Sequence, residues 1–367
     1  MRVLLPFLFL CLFFSLHAQA PLQLEQTEPQ QPYTHLDFKN NPAHFQFAIV
    51  TDRTGGHRPG VFETAVHKLN LLQPEFVMSV GDLIEGYTED MDILQQEWKE
   101  FDGFVDQLKM PFFYVPGNHN ITNQVMEDLW KERFGRTYYH FVYKEVLFLC
   151  LNSEDQHRGS NQGTISDAQY DYIRQTLAAN ADVRWTLVFM HQPLWVQDAE
   201  TLRWKEVEAL LADRPHTVFA GHRHNYVKYE RNDNRYFMLA TTGGGSSLRG
   251  PRMGEFDHVV WVTMTEAGPL IANLQLEGIW DENVMTEDTR MLIDAMVAKQ
   301  AFQFEPLYLE DANFDKGTMR IRVRNDENVP MNIHFRQGFS WDLVGSVATE
   351  EAVIAPNAQQ TFQLEMQ

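Results

Sequence analysis

The sequence predicts an α/β fold built in layers, followed by a smaller all-β region. Short apolar runs rich in Val, Phe, Ile and Leu recur along most of the chain and are typical of buried strands. Between them lie segments with apolar residues spaced three and four apart, which indicates helices that cover a sheet. From about Glu305 onward, apolar and polar residues alternate, which indicates half-buried antiparallel strands.

The first strands are predicted where the apolar runs are most compact. They lie at 45–50, 76–80, 111–115, 146–151, 185–190, 217–220 and 236–240. Two more strands are expected at 258–265 and 270–276, because Ala267-Gly268-Pro269 is a turn sequence between two apolar runs.

Helices are predicted between several of these strands. Leu94, Trp98 and Phe101 lie on one face of a helix that extends to about residue 108. Ser166 followed by Gln169 resembles a capping box and predicts a helix start. Further helices are expected around 207–211 and at 288–302.

The C-terminal region, 305–367, is predicted to be a small Ig-like β-sandwich. Met319, Ile321 and Val323 alternate with three arginines, Arg320, Arg322 and Arg324. A binding stripe would explain these arginines, but the pattern favours the solvated outer face of a strand.

The first twenty residues predict a cleaved signal peptide. Arg2 supplies the positive start, residues 3–16 are almost entirely apolar, and Ala18-Gln19-Ala20 is a cleavage-site pattern. The apolar run is shorter than a membrane-spanning helix requires, although an uncleaved anchor is the alternative. We therefore expect an exported protein, periplasmic or extracellular, with no membrane span after cleavage. A polar segment follows at 21–44.

Charge and cysteine content exclude several classes of function. With 30 Lys and Arg against 50 Asp and Glu, the net charge of −20 opposes binding to nucleic acid. Cleavage of the signal peptide would leave Cys150 as the single cysteine, so neither an intramolecular disulfide nor a cysteine-bound zinc site is expected.

Polar residues follow five of the predicted strands. Carboxyl ends of strands are where open α/β sheets bind ligands. The side chains at these ends are Asp52, Asp82, Asn118, His119, His191, His222 and His224. Oxygen and imidazole ligands suit Zn, Fe, Mn, Mg or Co. Even six of these seven side chains are more ligands than one tetrahedral zinc ion takes. A site for two metal ions is therefore expected, and two ions can neutralise a phosphate and acidify water.

These motifs resemble the calcineurin-like metallophosphoesterase superfamily. The residues that carry the resemblance are Asp52, Gly81-Asp82, Gly117-Asn118-His119, His191 and Gly221-His222-Arg223-His224, in that order. The resemblance covers about residues 45–245. It implies a four-layer α/β/β/α sandwich. Together with the strands expected at 258–276 and the helix expected at 288–302, we expect a phosphoesterase domain at 45–285 and a helical connector at 286–304.

The resemblance also implies a role for each motif residue. Asp52 and His224 would bind the first metal ion, Asp82 would bridge, and Asn118, His191 and His222 would bind the second. His119 would act on the substrate as general acid or transition-state stabiliser. Glu85 would orient His119, or would be a solvated loop carboxylate. The two ions would be Mn, Fe, Zn or Mg, divalent or of mixed valence.

One motif departs from the family pattern. Members usually have Asp-x-His in the first motif, whereas Thr54 occupies the histidine position here. Thr54 could supply an oxygen, or His57 could replace the missing imidazole. Arg53 could contact a substrate phosphate or pair with a surface carboxylate, and Gly243-Gly244-Gly245 could be a turn or a loop beside the metals.

Two functions follow from the sequence as alternatives. The first is an exported hydrolase of phosphate monoesters or diesters that uses a metal-bound hydroxide. The second is a catalytically decayed phosphoesterase scaffold that serves as an extracytoplasmic binding module, which the Thr54 departure favours. The particular ester and the oligomeric state are left open.

Overall fold

A computed structural model describes residues 39–157, 162–197, 200, 202–276, 278–305, 316–335, 345–347 and 351–366. The predicted signal peptide and nearly all of the polar segment after it lie outside these residues. In the part of the chain that is described, every helix is too short or too polar to cross a lipid bilayer.

The first sheet has six strands in the order β12-β11-β10-β1-β2-β3. Its strands are β1 (Phe45–Val50), β2 (Val77–Ser79), β3 (Phe112–Phe113), β10 (His258–Thr265), β11 (Gly268–Gln275) and β12 (Gly278–Asp281). β1, β2 and β3 run parallel, whereas β10, β11 and β12 are joined antiparallel. The parallel strands therefore end at the same edge, and that edge carries Asp52, Asp82 and Asn118.

The second sheet also has six strands, in the order β4-β5-β6-β7-β9-β8. They are β4 (Tyr139–Tyr143), β5 (Val146–Cys150), β6 (Trp185–Phe189), β7 (His216–Ala220), β8 (Val227–Arg231) and β9 (Asn234–Met238). β5, β6, β7 and β9 are parallel, and antiparallel strands close both edges.

Six helices accompany these sheets within the described residues. They are α1 (Val61–Leu72), α2 (Met91–Val105), α3 (Gln124–Phe134), α4 (Asp167–Ala179), α5 (Trp204–Leu211) and α6 (Glu287–Ala298). Residues of α1, α2 and α3 form one apolar cluster with the outer face of the first sheet, and residues of α4 and α5 pack on the second sheet.

Aromatic side chains hold the two sheets together. Phe47 of the first sheet meets Phe148 of the second with ring centroids 5.3 Å apart, and the Phe148 and Phe189 rings stack at 6.0 Å. All three rings are buried, so they contribute hydrophobic area as well as the favourable ring geometry. The helix, sheet, sheet, helix order confirms the predicted four-layer sandwich.

Most predicted elements are present with shifted ends. The strand expected at 111–115 is only two residues long, and the helix expected at 288–302 ends at Ala298. Ser166 caps α4 as expected, since its hydroxyl accepts from the Gln169 N–H (3.2 Å). α1 and α3 were not predicted from the sequence; α1 begins after Gly60, which has no side chain to cap it, whereas the Asn123 side chain caps α3.

The C-terminal strands form two further sheets. Their strands are β13 (Phe302–Phe304), β14 (Gly317–Asn325), β15 (Met331–His334), β16 (Gly345–Val347), β17 (Glu351–Ile354) and β18 (Ala358–Met366). A four-stranded sheet, β13-β14-β18-β16, and the β15-β17 pair contribute to one apolar cluster. The 305–367 boundaries stay a prediction.

The alternating arginines of β14 lie on its outer face. Arg320 and Arg322 are exposed, whereas Ile321 and Val323 between them are buried. Arg320 pairs with Glu305 (3.3 Å) and Arg324 with Asp326 (2.9 Å). These partners agree with the solvated-face interpretation.

Candidate metal centre

The structure brings the seven strand-end residues together at one edge of the sandwich. Asp52, Asp82 and Asn118-His119 follow β1, β2 and β3 of the first sheet, and His191 and His222 to His224 follow β6 and β7 of the second. The site therefore lies where the two sheets meet, and each sheet supplies half of the candidate ligands.

Two groups of ligand atoms are close enough to hold a metal ion each. One consists of Asp52, Asp82 and His224, and the other of Asp82, His191 and His222, with the donor atoms of each group within 4.8 Å of one another. Asp82 is common to both. In the second group Nδ1 of His222 lies 2.8 Å from Oδ1 of Asn118, so the amide oxygen faces the same point. These groupings agree with the assignment that the resemblance implies.

The chemistry of the donor set fits two cations. Asp52 and Asp82 are two buried carboxylates in electrostatic contact, and burying such a pair without a cation is unfavourable. Gly117 lies against the Asp82 carboxylate and Gly221 against that of Asp52, and a Cβ at either position would occupy the space of those oxygens. Carboxylate, amide and imidazole ligands of this kind suit Mn, Fe, Zn or Mg.

Main-chain carbonyls orient two of the histidine rings. Nδ1 of His191 lies 2.8 Å from the Val80 carbonyl oxygen, and Nδ1 of His224 lies 2.6 Å from that of Gly245. Each ring donates through Nδ1, which leaves Nε2 facing the carboxylates. Nε2 of His191 is 3.0 Å from Asp82 Oδ2, and Nε2 of His224 is 3.3 Å from Asp52 Oδ1.

Burial and neighbouring charges shift the pKa values of the ligand residues. Burial would raise the pKa of Asp52, but the hydrogen bond and charge of His224 lower it well below its ordinary value. Burial would lower the pKa of His191, yet the neighbouring Asp82 raises it to about 10. His224 likewise rises to a pKa of about 9 against burial, through Asp52. Burial and the charge of His191 lower the pKa of His222 to about 3.

Metal binding is therefore expected to release protons at neutral pH. His191 and His224 are protonated below their raised pKa values of about 10 and 9, and a metal ion binds only the neutral ring. Filling both sites at pH 7 should release about two protons per chain, and metal affinity should fall as the pH is lowered.

Titration calorimetry in two buffers of different ionisation enthalpy measures this release. His67→Gln, which alters an exposed histidine on α1, should release the same number. Binding without proton release would contradict the raised pKa values of His191 and His224.

His119 has a position distinct from the ligands. Its ring Nδ1 is 2.6 Å from the Glu85 carbonyl oxygen, and its Nε2 is 4.0 Å from Asp82 Oδ2. The His119 main-chain N–H also donates to Asp82 Oδ1 (3.0 Å). The ring is partly exposed, so Nε2 can reach a substrate above the candidate metal positions.

The structure places the Glu85 side chain elsewhere than the resemblance implies. Its carboxylate accepts from the main-chain N–H of Gly56 (3.2 Å) and of His57 (2.9 Å), and it lies 3.1 Å from His57 Nδ1. The group that orients His119 is the Glu85 carbonyl, not its carboxylate. The carboxylate instead holds the loop that follows Asp52.

Neither suggested replacement for the missing histidine reaches the metal groups. The Thr54 hydroxyl is buried and donates to the carbonyls of Asp82 (3.0 Å) and Ile84 (2.8 Å). His57 is held at Glu85. The first group therefore has three ligands among the described residues, which supports weaker binding there than at the second.

Arg53 pairs with a carboxylate and does not face the site. Its guanidinium contacts Glu100 (2.9 Å) and donates to the Leu83 carbonyl (3.1 Å). The Arg53 side chain is 5% exposed, which leaves it unavailable to a substrate phosphate.

The loop at Gly243-Gly244-Gly245 and the Arg58 side chain hold His224 of the first ligand group in place. Gly245 supplies the carbonyl that holds His224, and the Arg58 guanidinium donates to the neighbouring Gly244 carbonyl (3.0 and 2.9 Å). Arg58 is itself fixed by Asp257 (2.7 Å). The glycines are thus a loop beside the metal site, and the Arg58–Asp257 pair fixes its position.

Asp257→Asn should weaken the first site selectively. Removing the charge that fixes Arg58 loosens the loop and with it the orientation of His224. Changes to groups that orient a metal ligand typically cost about 10–100-fold in affinity. We expect the first ion to bind about that much more weakly and the second unchanged, as measured by stepwise metal titration.

Arg249→Ala is the matched control for this change. It breaks a nearby ion pair, Arg249–Glu255, that does not contact the loop carbonyls. An equal loss at both sites in Asp257→Asn, or a similar loss in Arg249→Ala, would contradict the proposed support.

Two residues of the site were missed by sequence reasoning. Tyr87 accepts a hydrogen bond from Asn118 Nδ2 (2.8 Å) and packs on His119. Glu154 is a buried carboxyl, and burial raises its pKa to about 7. It accepts hydrogen bonds from the Ser153 hydroxyl and the Gln192 amide. Neither follows a motif, and a tyrosine in an acidic loop carries no local signal for a metal site.

Comparison with known proteins agrees with this geometry. The family model for calcineurin-like phosphoesterases matches residues 43–226, half of the chain. The chain belongs to the calcineurin-like phosphoesterase family. The matched segment contains all six candidate metal ligands and His119.

Curated relatives include both phosphatases and phosphodiesterases. Mouse serine/threonine-protein phosphatase CPPED1 is 30% identical over 181 residues, 44% of this chain and 56% of the relative. The 3',5'-cyclic adenosine monophosphate phosphodiesterase CpdA of Haemophilus influenzae is 26% identical over 178 residues, 46% of this chain and 60% of the relative. The chain thus spans little more than half the length of these relatives.

The fold also resembles that of a solved structure. A structure of PhoD superposes with a TM-score of 0.51 over 70% of this chain and 78% of the other, at 11% identity. This likeness concerns the fold alone.

Proposed function

We propose that this phosphoesterase hydrolyses phosphate esters at a centre of two metal ions. The observation that carries the proposal is the pair of ligand groups that share Asp82, with Nε2 of His119 4.0 Å from that shared carboxylate. Bound ions would stabilise charge on the phosphate oxygens and lower the pKa of water.

The chain's own residues have separable tasks in this proposal. Asp82 holds the two metal positions together, while Asp52 with His224 and Asn118 with His191 and His222 define one position each. His119 donates Nδ1–H to the Glu85 carbonyl, so the proton that it delivers to a leaving oxygen is the one on Nε2. Arg53 takes no part, because Glu100 holds it.

The finer assignments are part of the same proposal. Hydrolysis of phosphate monoesters or diesters is supported by the relatives, which include a serine/threonine-protein phosphatase and a cyclic-nucleotide phosphodiesterase. Export to the periplasm or the extracellular space is supported by the N-terminal sequence pattern. Mn, Fe, Zn and Mg all suit the ligand set.

Metal content and generic hydrolysis together test the proposal. The purified chain is stripped with chelator and reloaded separately with Mn, Zn, Fe and Mg, and metal per chain is determined by elemental analysis. Each form is then assayed on 4-nitrophenyl phosphate and on bis(4-nitrophenyl) phosphate. We expect two ions per chain and hydrolysis of at least one ester, and a chain that binds two ions and hydrolyses neither would overturn the activity.

A further inference from the structure

Tyr87 is an exposed aromatic residue at the mouth of the candidate metal centre. It lies in the loop between β2 and α2 and is 48% exposed, although large aromatic side chains are usually covered. Its ring centroid is 4.7 Å from that of His119, with the planes at 78°. Tyr87 thus borders the same space as the residue that faces the leaving group.

The hydroxyl contact and the main-chain conformation of Tyr87 together fix the position of its ring. The hydroxyl accepts from Asn118 Nδ2 (2.8 Å), which ties the outer end of the side chain to a candidate metal ligand. The main chain has φ of +53° at Tyr87, a left-handed conformation that is unfavourable for a bulky residue. Strained conformations that persist beside an active site are a recognised sign of function.

The contacts leave a defined part of Tyr87 for a ligand. Asn118 bonds the hydroxyl and His119 contacts the ring in an edge arrangement, and Tyr87 is still 48% exposed. An aromatic ring in this place offers stacking to another flat ring. Stacking on the Tyr87 ring would not favour any linear alcohol over another, because linear alcohols have no π-face.

The charge around the loop restricts the ligand further. Exposed Glu89 and Asp90 follow Tyr87, and the Glu97 carboxylate accepts from the Gly86 N–H (2.9 Å). These carboxylates repel a leaving group with negative charge of its own. An uncharged flat ring is therefore the best match.

We propose that Tyr87 forms a leaving-group subsite that selects phosphate esters of uncharged alcohols carrying a flat ring. Aryl-type alcohols and nucleosides share this chemistry. The inference rests on the proposed phosphoesterase function and deepens it, because it names the class of alcohol released.

The test separates ring stacking from leaving-group chemistry. Benzyl phosphate and cyclohexylmethyl phosphate both release a primary alcohol of similar size and basicity, but only the first has a π-face. For the metal-loaded chain we expect kcat/KM to favour benzyl phosphate by about three- to tenfold, the range of one aromatic contact. A ratio near one in the unaltered protein would overturn the proposal without any variant.

Two substitutions then separate the ring from the hydroxyl. Tyr87→Leu should bring the ratio to about one, whereas Tyr87→Phe should keep the ratio and weaken the second metal position, since Asn118 loses its partner. Ile93→Ala, at an exposed apolar position on α2, is the control and should change neither quantity. An unchanged preference in Tyr87→Leu would overturn the assignment.

A third substrate distinguishes the two sources of a flat ring. A nucleoside 5'-monophosphate that shows the same dependence on Tyr87 as benzyl phosphate identifies nucleosides as occupants, and one that shows none limits the subsite to aryl-type alcohols. Failure of the general function is recognised separately, because then 4-nitrophenyl phosphate and bis(4-nitrophenyl) phosphate are not hydrolysed either.

Discussion

Asp82→Ala should remove both metal ions and reduce hydrolysis by at least about a thousandfold, which corresponds to the several kcal/mol that metal ions contribute to such a transition state. Asp82 is the one ligand common to the two groups, and its carboxylate lies 3.0 Å from His191 Nε2. Its loss therefore affects both positions at once. Metal analysis and steady-state kinetics measure the two effects.

Two further variants show whether this effect is specific. Asp82→Asn keeps the side-chain shape and the hydrogen bond from the His119 N–H, so it tests charge without creating a cavity. Asp102→Ala removes an exposed carboxylate that pairs with Arg133 and should leave metal content and rate unchanged. Turnover within a few-fold of the parent in Asp82→Ala would show that the bridging assignment is wrong.

His119→Ala should reduce the rate while leaving the metal content intact. A positioned general acid typically contributes about 10²–10⁴-fold. The ring lies outside both ligand groups, and the main-chain N–H that holds Asp82 is retained on substitution. Elemental analysis should therefore still find two ions per chain.

The choice of ester shows whether His119 delivers a proton. A nitrophenolate leaves readily without one, so the loss in His119→Ala should be small for 4-nitrophenyl phosphate and largest for an alkyl ester. Equal losses on both esters would remove the general-acid role. A collapse of metal content would instead make His119 a ligand.

The sheets and the ligand set could be predicted because their signals are local. Runs such as Phe45–Val50 consist mostly of β-branched and aromatic residues, and the ligand lies just beyond the end of the strand, as Asp52 does after Thr51. Because parallel strands end at the same edge of a sheet, residues that are far apart in sequence could be assigned to one site. The edge strands β4 and β8 are partly exposed and less apolar, so they gave a weaker signal.

The contacts that support the site could not be predicted in this way. Arg58 meets Asp257 across 199 positions of sequence, and nothing in either neighbourhood indicates the other. The carbonyl of Glu85, rather than its charge, contacts His119, and sequence patterns do not report which main-chain atoms face a site. The left-handed backbone at Tyr87 is likewise a property of the folded loop, since tyrosine has no preference for it.

The location of the ligands at the junction of two sheets has a consequence for unfolding. Each metal ion would connect a residue of the first sheet with a residue of the second, and so would act as a cross-link that closes a long loop of chain. The sequence has two cysteines, and Cys150, which lies in the described part of the chain, is buried and free, so metal coordination would be a cross-link of a different chemical kind from a disulfide. Metal supply would then set the lifetime of the folded chain against proteases as well as its activity, and a metal-starved molecule would open first at its catalytic edge.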